Sequence, residues 1–327
     1  MPSRCPDPSR FLFLPPAGQR QREWAAALEA AVPEFDVALA RDRDEALALL
    51  PHTVAAFGSL DPELLQAAPR LRWLQCPAAG PSPAYFFDAL VASDVAVTNM
   101  RGVFSDHIAD HIMAFVLAFA RGLHHHLPNQ FRGQWRAGET PPAIYLREAT
   151  AVIVGVGGIG AATAAHCAHF GMHVIGIDPR VASPPPGVRE LYRPDALDEH
   201  LGRGDFVILT VPRTPQTQGL MNAARLARVK PGAVLINTGR GTSIVLDDLA
   251  EALDSGPLGG AALDVFETEP LPPGHRLWQA PNFLMTPHTA DAGPYLDERR
   301  LELFLENARR FVRGDPLATP VDKANWF

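Results

Sequence analysis

Along the first hundred residues, short apolar runs alternate with segments whose apolar positions recur at helical spacing. RFLFL (10–14), FDVAL (35–39), VAAF (54–57), LRWLQ (71–75) and VAVTN (95–99) have the length and make-up of buried strands. REWAAALEAAV (22–32), DEALALL (44–50) and PELLQAA (62–68) carry the helical pattern between them. Strands that alternate with helices form βαβ units, and these build parallel sheets. The rhythm resumes at AVIV (151–154) and runs through VIGID (174–178), DFVILTVP (205–212), AVLINTG (233–239), AALDVF (261–266) and FLMTPH (283–288). Between the two halves, SDHIADHIMAFVLAFARGLHHHL (105–127) predicts one long apolar helix, with Ser105 as its N-cap and Pro128 just past its end. A polar stretch containing Trp135 (129–147) follows. DERRLELFLENARRFVRG (297–314) predicts an amphipathic helix that crosses back to pack on the first half. The expected fold is α/β, with two doubly wound parallel-sheet domains. One comprises residues 1–99 plus 290–327, the other residues 100–289.

A length of 327 residues suits about two domains. With 47% hydrophobic and 20% charged residues, each can bury a core. A net charge of −7 argues against nucleic acid as a partner, because phosphate-backbone binding needs clustered positive charge. No apolar run approaches the roughly 18 residues of a membrane span. The proline-cut N-terminal run in MPSRCPDPSRFLFLPP is too short for a signal peptide, so a cytoplasmic protein is expected. Its three cysteines, Cys5, Cys76 and Cys167, are too few and too scattered for a disulfide framework or a thiolate zinc site.

AVIVGVGGIGAATAAHCAHFGMHVIGID (151–178) sets three glycines between a strand and a helix and ends a second strand on an acid. A lone GxGxxG is weak evidence, but here its context is right on both sides. Gly155 makes the turn, Gly157 lets backbone approach a pyrophosphate, and Gly160 lets helix and strand touch. The phosphates then meet the N–H groups and positive dipole of the helix start. Asp178 accepts hydrogen bonds from the adenosine ribose and repels a 2′-phosphate, which selects NAD over NADP; Arg180 can soften that preference.

Arg240 in NTGRG, Glu269 in ETEPLPP and His288 in TPHTAD each fall at or just after the carboxyl end of a predicted strand, the edge where open α/β sheets bind ligands. Together they suit hydride transfer to a 2-oxo acid. A guanidinium grips a carboxylate bidentately and polarises the keto oxygen. An imidazole protonates the nascent alkoxide, and a neighbouring carboxylate orients that ring.

From LRWLQCPAAG through VTNMRGVFSDHIADHIMAFVLAFAR, VGVGGIG, VPRTPQTQGL, NTGRG, LDVFETEPLPP and TPHTA to FVRGDPLATPVDK, the chain resembles the D-isomer-specific 2-hydroxyacid dehydrogenase family. The resemblance implies a flavodoxin-like substrate domain and a Rossmann NAD-binding domain. It makes Arg240 the substrate-binding arginine, His288 the acid/base and Glu269 its partner, while Ala79 and Gly80 offer backbone N–H groups to the substrate carboxylate. It sets Gly158 and Ile159 at the pyrophosphate, Pro212, Thr217, Thr238, Gly239, Arg240 and His288 along the cofactor, and Asp264 near the carboxamide. The long apolar helix and polar arm of 105–147, with Trp135, suit a two-fold dimer interface, and with the resemblance they imply a homodimer. Glycine at 158, where relatives often carry arginine, removes one pyrophosphate contact. CPAAGPSP lacks Lys and Arg, which disfavours a phosphorylated substrate, and Glu269 replaces the glutamine of formate dehydrogenases. The fold also serves as an NAD-sensing, non-enzymatic corepressor, and that is the alternative.

Other residues draw blander readings. His107, Asp110 and His111 superficially resemble a metal motif, but a helix start without metal is expected. His124 to His126 read as a helix C-terminal turn. Cys76 lines the substrate pocket rather than acting as a nucleophile, and Glu267 is a solvated loop acid beside Glu269. Tyr85, Phe86, Phe87 and Trp135 either line a bulky pocket or belong to the core.

Overall fold

The computed structural model describes residues 9–137 and 142–326. Cys5, and residues 138–141 of the polar stretch, lie outside the described residues. The chain divides into two units: residues up to Val103 with those from Pro294 onward, and Phe104–Gly293.

The first unit runs β1 (Ser9–Phe13), α1 (Gln19–Ala31), β2 (Phe35–Leu39), α2 (Arg43–Leu49), β3 (Thr53–Phe57), α3 (Pro62–Gln66), β4 (Trp73–Gln75), α4 (Asp88–Ala92) and β5 (Ala96–Thr98), and is completed by the final helix α11 (Leu296–Arg313). Its sheet is entirely parallel, in the order β2-β1-β3-β4-β5. Two helices start where an aspartate caps them: Asp42 accepts from the Glu45 N–H and Asp61 from the Leu64 N–H, both at 2.9 Å. On one face, Phe304 of α11 is fully buried among Phe11, Phe13, Trp24, Phe57 and Trp73, with ring centroids 5.4 to 6.2 Å away. The amphipathic pattern of 297–314 thus predicts this packing correctly, and Gly314 ends the helix at φ +76°.

The second unit runs α5 (Ser105–Ala120), α6 (Leu123–Phe131), β6 (Thr150–Val154), α7 (Gly158–His169), β7 (His173–Ile177), β8 (Glu190–Tyr192), α8 (Leu197–His200), β9 (Phe206–Leu209), α9 (Ala223–Leu226), β10 (Val234–Asn237), α10 (Leu246–Asp254), β11 (Gly260–Leu263) and β12 (Phe283–Met285). Its seven parallel strands take the order β12-β11-β10-β9-β6-β7-β8. The winding reverses at β6, between β7 and β9, and an open α/β sheet forms its ligand crevice at such a switch point. Ile153, Ile208 and Ile236 face Ile112 and Val116 of α5 and Cys167 of α7; Val152, Val207 and Leu235 pack with Leu249 and Leu253 of α10. Among the described residues no helix is long and apolar enough to cross a membrane.

Several expectations are corrected. The 105–127 helix is two, because Gly122 turns left-handed at φ +66° and starts α6. Pro128 lies inside α6 rather than beyond it, and His124 to His126 occupy its first turns rather than a C-terminal turn. Ser105 is the first helical residue of α5, not its cap: Phe104 holds the cap position at φ −106°, ψ −1°, and Ser105 makes no capping bond. β8 was not expected, since three half-buried residues leave no clear alternation. Cys76 is 1% exposed and packed in the core, where burial pushes its thiol up, so it lines no pocket. Phe86 belongs to the same core, whereas Trp135 is 95% exposed.

Candidate active site

The glycine loop after β6 is built as its spacing requires. Gly155 sits at φ +90°, a conformation that disfavours any side chain. A methyl on Gly160 would overlap the Gly155 carbonyl and come within 2.9 Å of Thr210 Oγ1, so helix and loop touch there. A methyl on Gly157 would meet nothing within 4 Å, so the space before the N-terminus of α7 stays open. An open cradle against a helix start fits the diphosphate of a dinucleotide. Gly158 and Ile159 form the first turn of α7 beside that space.

Asp178, just after β7, is 3% exposed. Its Oδ2 accepts from the Val156 N–H at 3.0 Å, and its Oδ1 from the N–H groups of Arg180 (2.8 Å) and Val181 (3.0 Å). The acid therefore ties the glycine loop to the end of β7, and three of its roughly four acceptor positions go to backbone. Sequence reasoning found the acid but not this anchoring. After β9, Thr217 closes the next loop by donating to the Pro212 carbonyl at 2.7 Å.

Arg240 follows β10 in a turn that buried Asn237 pins. The Asn237 Oδ1 accepts from the Gly239 N–H and its Nδ2 donates to the Arg240 carbonyl, both at 3.0 Å. Thr238 is buried in this turn, and Gly239 packs so close to β9's extension that a methyl would stand 2.7 Å from the Val211 carbonyl oxygen. A methyl on Gly241 would overlap the Phe266 carbonyl, so the Arg240 loop lies directly on the loop after β11. The Phe266 N–H donates to Glu269 Oε1 at 2.9 Å, and His288 Nδ1 stands 2.7 Å from Glu269 Oε2. Burial pushes the Arg240 guanidinium below its ordinary value while the charge of Glu269 pulls it back up. Arginine, imidazole and carboxylate, far apart in the chain, thus converge at one sheet edge. Glu267 is exposed and outside this group.

His288 adopts φ +54°, which is uncommon for a residue with a side chain. Its N–H donates to the Asp264 carbonyl at 2.9 Å. The Asp264 carboxylate, 1% exposed, accepts from Thr286 Oγ1 (2.6 Å) and from the N–H groups of Thr289 (2.9 Å) and Ala290 (3.1 Å). His111, dismissed above as part of a helix start, reaches Thr286 Oγ1 at 2.9 Å. Pairing HIADH with TPHT needed the tertiary fold. Among the described residues no cluster of three or more His, Cys, Asp or Glu is arranged to hold a metal ion.

Ala79 and Gly80 belong to the first unit, in the loop after β4. The Ala78 carbonyl accepts from the Met100 N–H (3.1 Å) and the Ala79 carbonyl from Asn99 Nδ2 (2.8 Å), so both carbonyls are turned inward.

A parallel doubly wound sheet with a glycine cradle at its switch point, and an arginine–carboxylate–imidazole group on the same edge, defines a dinucleotide-binding α/β protein. Residues 113–290 match the family described as D-isomer specific 2-hydroxyacid dehydrogenase, NAD binding domain. The chain belongs to the D-isomer-specific 2-hydroxyacid dehydrogenase family. It is 32% identical to a glyoxylate reductase of Thermofilum pendens over 86% of this chain and 82% of that protein. To a glyoxylate/hydroxypyruvate reductase B of Pectobacterium carotovorum it is 34% identical over 76% and 78% of the two chains. The structure of an NADPH-dependent glyoxylate/hydroxypyruvate reductase from Sinorhizobium meliloti, in complex with NADP and sulfate, is similar with a TM-score of 0.79 and 31% identity, covering 98% of this chain and 100% of the other.

Proposed function

We propose that this protein is a reductase of small 2-oxo acids, interconverting them with D-2-hydroxy acids, with NADH as the preferred cofactor. The observation that carries the reading is the placement of Arg240 beside the hydrogen-bonded pair of His288 Nδ1 and Glu269 Oε2 (2.7 Å) at the carboxyl edge of a dinucleotide-type sheet. Gly155, Gly157, Gly158, Ile159 and Gly160 hold the cofactor's diphosphate, and Thr238 and Gly239 border its other half. Bound there, the nicotinamide supplies hydride exchange with the substrate's C2. Arg240, half-buried at this edge, grips the carboxylate and polarises the keto oxygen. The Glu269 carboxylate holds His288 by Nδ1, leaving Nε2 to give a proton to the alkoxide oxygen or take one from the hydroxyl. The inward-turned carbonyls at Ala78 and Ala79 support a carboxylate-binding role for the backbone at Ala79 and Gly80. Initial rates of NADH oxidation with glyoxylate, hydroxypyruvate, pyruvate and phenylpyruvate test the reading; no turnover of any 2-oxo acid would remove it.

Asp178 supports the cofactor preference, because three backbone donors fix its charge at the end of β7 so that it has no room to swing from a 2′-phosphate. Asp178→Ala is expected to raise the NADPH-to-NADH ratio of kcat/KM about 10- to 100-fold, the worth of one or two hydrogen bonds to a charged group. It should also lower Tm, since the buried Val156 N–H loses its acceptor. An unchanged ratio would refute the preference. Self-association with a second copy is part of the same proposal: α6 and the residues after it leave Leu127, Phe131 and Trp135 43%, 83% and 95% exposed. Light scattering should return a dimer mass, and a monomer mass would overturn this part.

A further inference from the structure

The Thr286 hydroxyl has one proton, and its shortest bond runs to Asp264 Oδ1 at 2.6 Å. A carboxylate only accepts, so that proton is committed, and His111 Nε2, 2.9 Å from the same hydroxyl oxygen, is the donor to it. Geometry therefore fixes the ring with its proton on Nε2. The Phe115 ring meets the imidazole edge-on, centroids 4.7 Å apart, and confines it. Burial holds the His111 ring below its ordinary value against the pull of Asp264.

Donors thus point one way, from His111 through Thr286 to Asp264. The Asp264 carboxylate holds the backbone on both sides of His288, through the Thr286 side chain before it and the Thr289 and Ala290 N–H groups after it. The Asp264 carbonyl takes the His288 N–H itself. A residue at φ +54° stays there only when its surroundings over-determine it.

We infer that His111 and Thr286 are positioning residues: through Asp264 they hold the 286–290 loop so that His288 keeps the backbone conformation from which it meets Glu269. This rests on the reading of His288 as the proton-transfer group. His111 touches neither substrate nor cofactor in this role. Its contribution is to orient the Thr286 hydroxyl, which would otherwise be free to turn from Asp264.

The test uses the whole protein with NADH and whichever of glyoxylate or hydroxypyruvate turns over faster. His111→Leu is expected to lower kcat about tenfold, with KM for the acid within about twofold, as misplacement of a reacting group predicts. NADH affinity, read by fluorescence quenching, stays at the wild-type value. His111→Gln restores an N–H donor and recovers most of kcat, as loss of bulk alone would not allow. Thr286→Val reproduces the loss, Thr286→Ser recovers it, and the His111→Leu/Thr286→Val double variant falls no further than Thr286→Val, because the two act through one bond. Wild-type kcat in His111→Leu, no recovery in the Gln or Ser variants, or additive losses in the double variant would overturn the inference. If His111→Leu fails to fold, as Tm will show, the Thr286 pair decides. His288→Ala run alongside separates the two levels. Retained activity there defeats the parent reading, whereas its loss beside an unimpaired His111→Leu defeats the positioning role alone.

Discussion

Replacing His288 with alanine is expected to lower kcat/KM for 2-oxo acid reduction about 100- to 10,000-fold, the share that a well-placed acid–base side chain supplies. The loss should fall mainly on kcat, because on this reading the proton is needed at the transition state and not on binding. The fold should be indifferent: the His288 side chain is 52% exposed and its one strong side-chain bond is to Glu269, itself 37% exposed. The loop around it is held by backbone and by Asp264, none of which the substitution touches. Steady-state rates beside a thermal melt make the check. A variant with unchanged Tm and near-wild-type turnover would show that the imidazole is not the proton donor.

Arg240→Ala should lower kcat/KM about 100- to 1,000-fold, the range for losing one preorganised charge-stabilising donor, with KM and kcat both affected. Lysine is not expected to restore it, because an ammonium lacks the planar fork that matches a carboxylate. The stability outcome is the more diagnostic half. Burial depresses the guanidinium, and Glu269 only partly offsets this, so the charge is held at some cost to the fold. Removing it should leave Tm level or raise it, the behaviour of a group kept for function. Should Tm fall by several degrees while kcat/KM stays put, Arg240 is a structural ion-pair partner instead.

Period and punctuation carried most of the architecture. Strands such as VAAF and VIGID are bounded by turn residues and buried end to end, so local pattern and tertiary need agree. Where they disagreed, a backbone geometry was responsible: Gly122, one glycine inside a continuous apolar run, splits the long helix because it takes a left-handed turn. The three-residue strand β8 carries too few positions for alternation to register. In the candidate site, the placement of Arg240, Glu269 and His288 at one sheet edge was legible because they sit in dense local motifs at strand ends. What stayed hidden were the bonds between distant stretches: Asp178 to Val156, and His111 to Thr286, 175 positions away. Spacing within a segment reports a turn or a face, but it is silent on which hydroxyl a ring nitrogen meets after folding.

Phe304 comes from the far end of the chain yet fills the middle of the aromatic cluster on the sheet that residues 9–98 begin. During synthesis that sheet must therefore wait, its rings unfilled, while the whole contiguous second unit leaves the ribosome ahead of the helix that completes it. The half made first is the half finished last, against the usual vectorial order, and its apolar face stays open for the length of that delay.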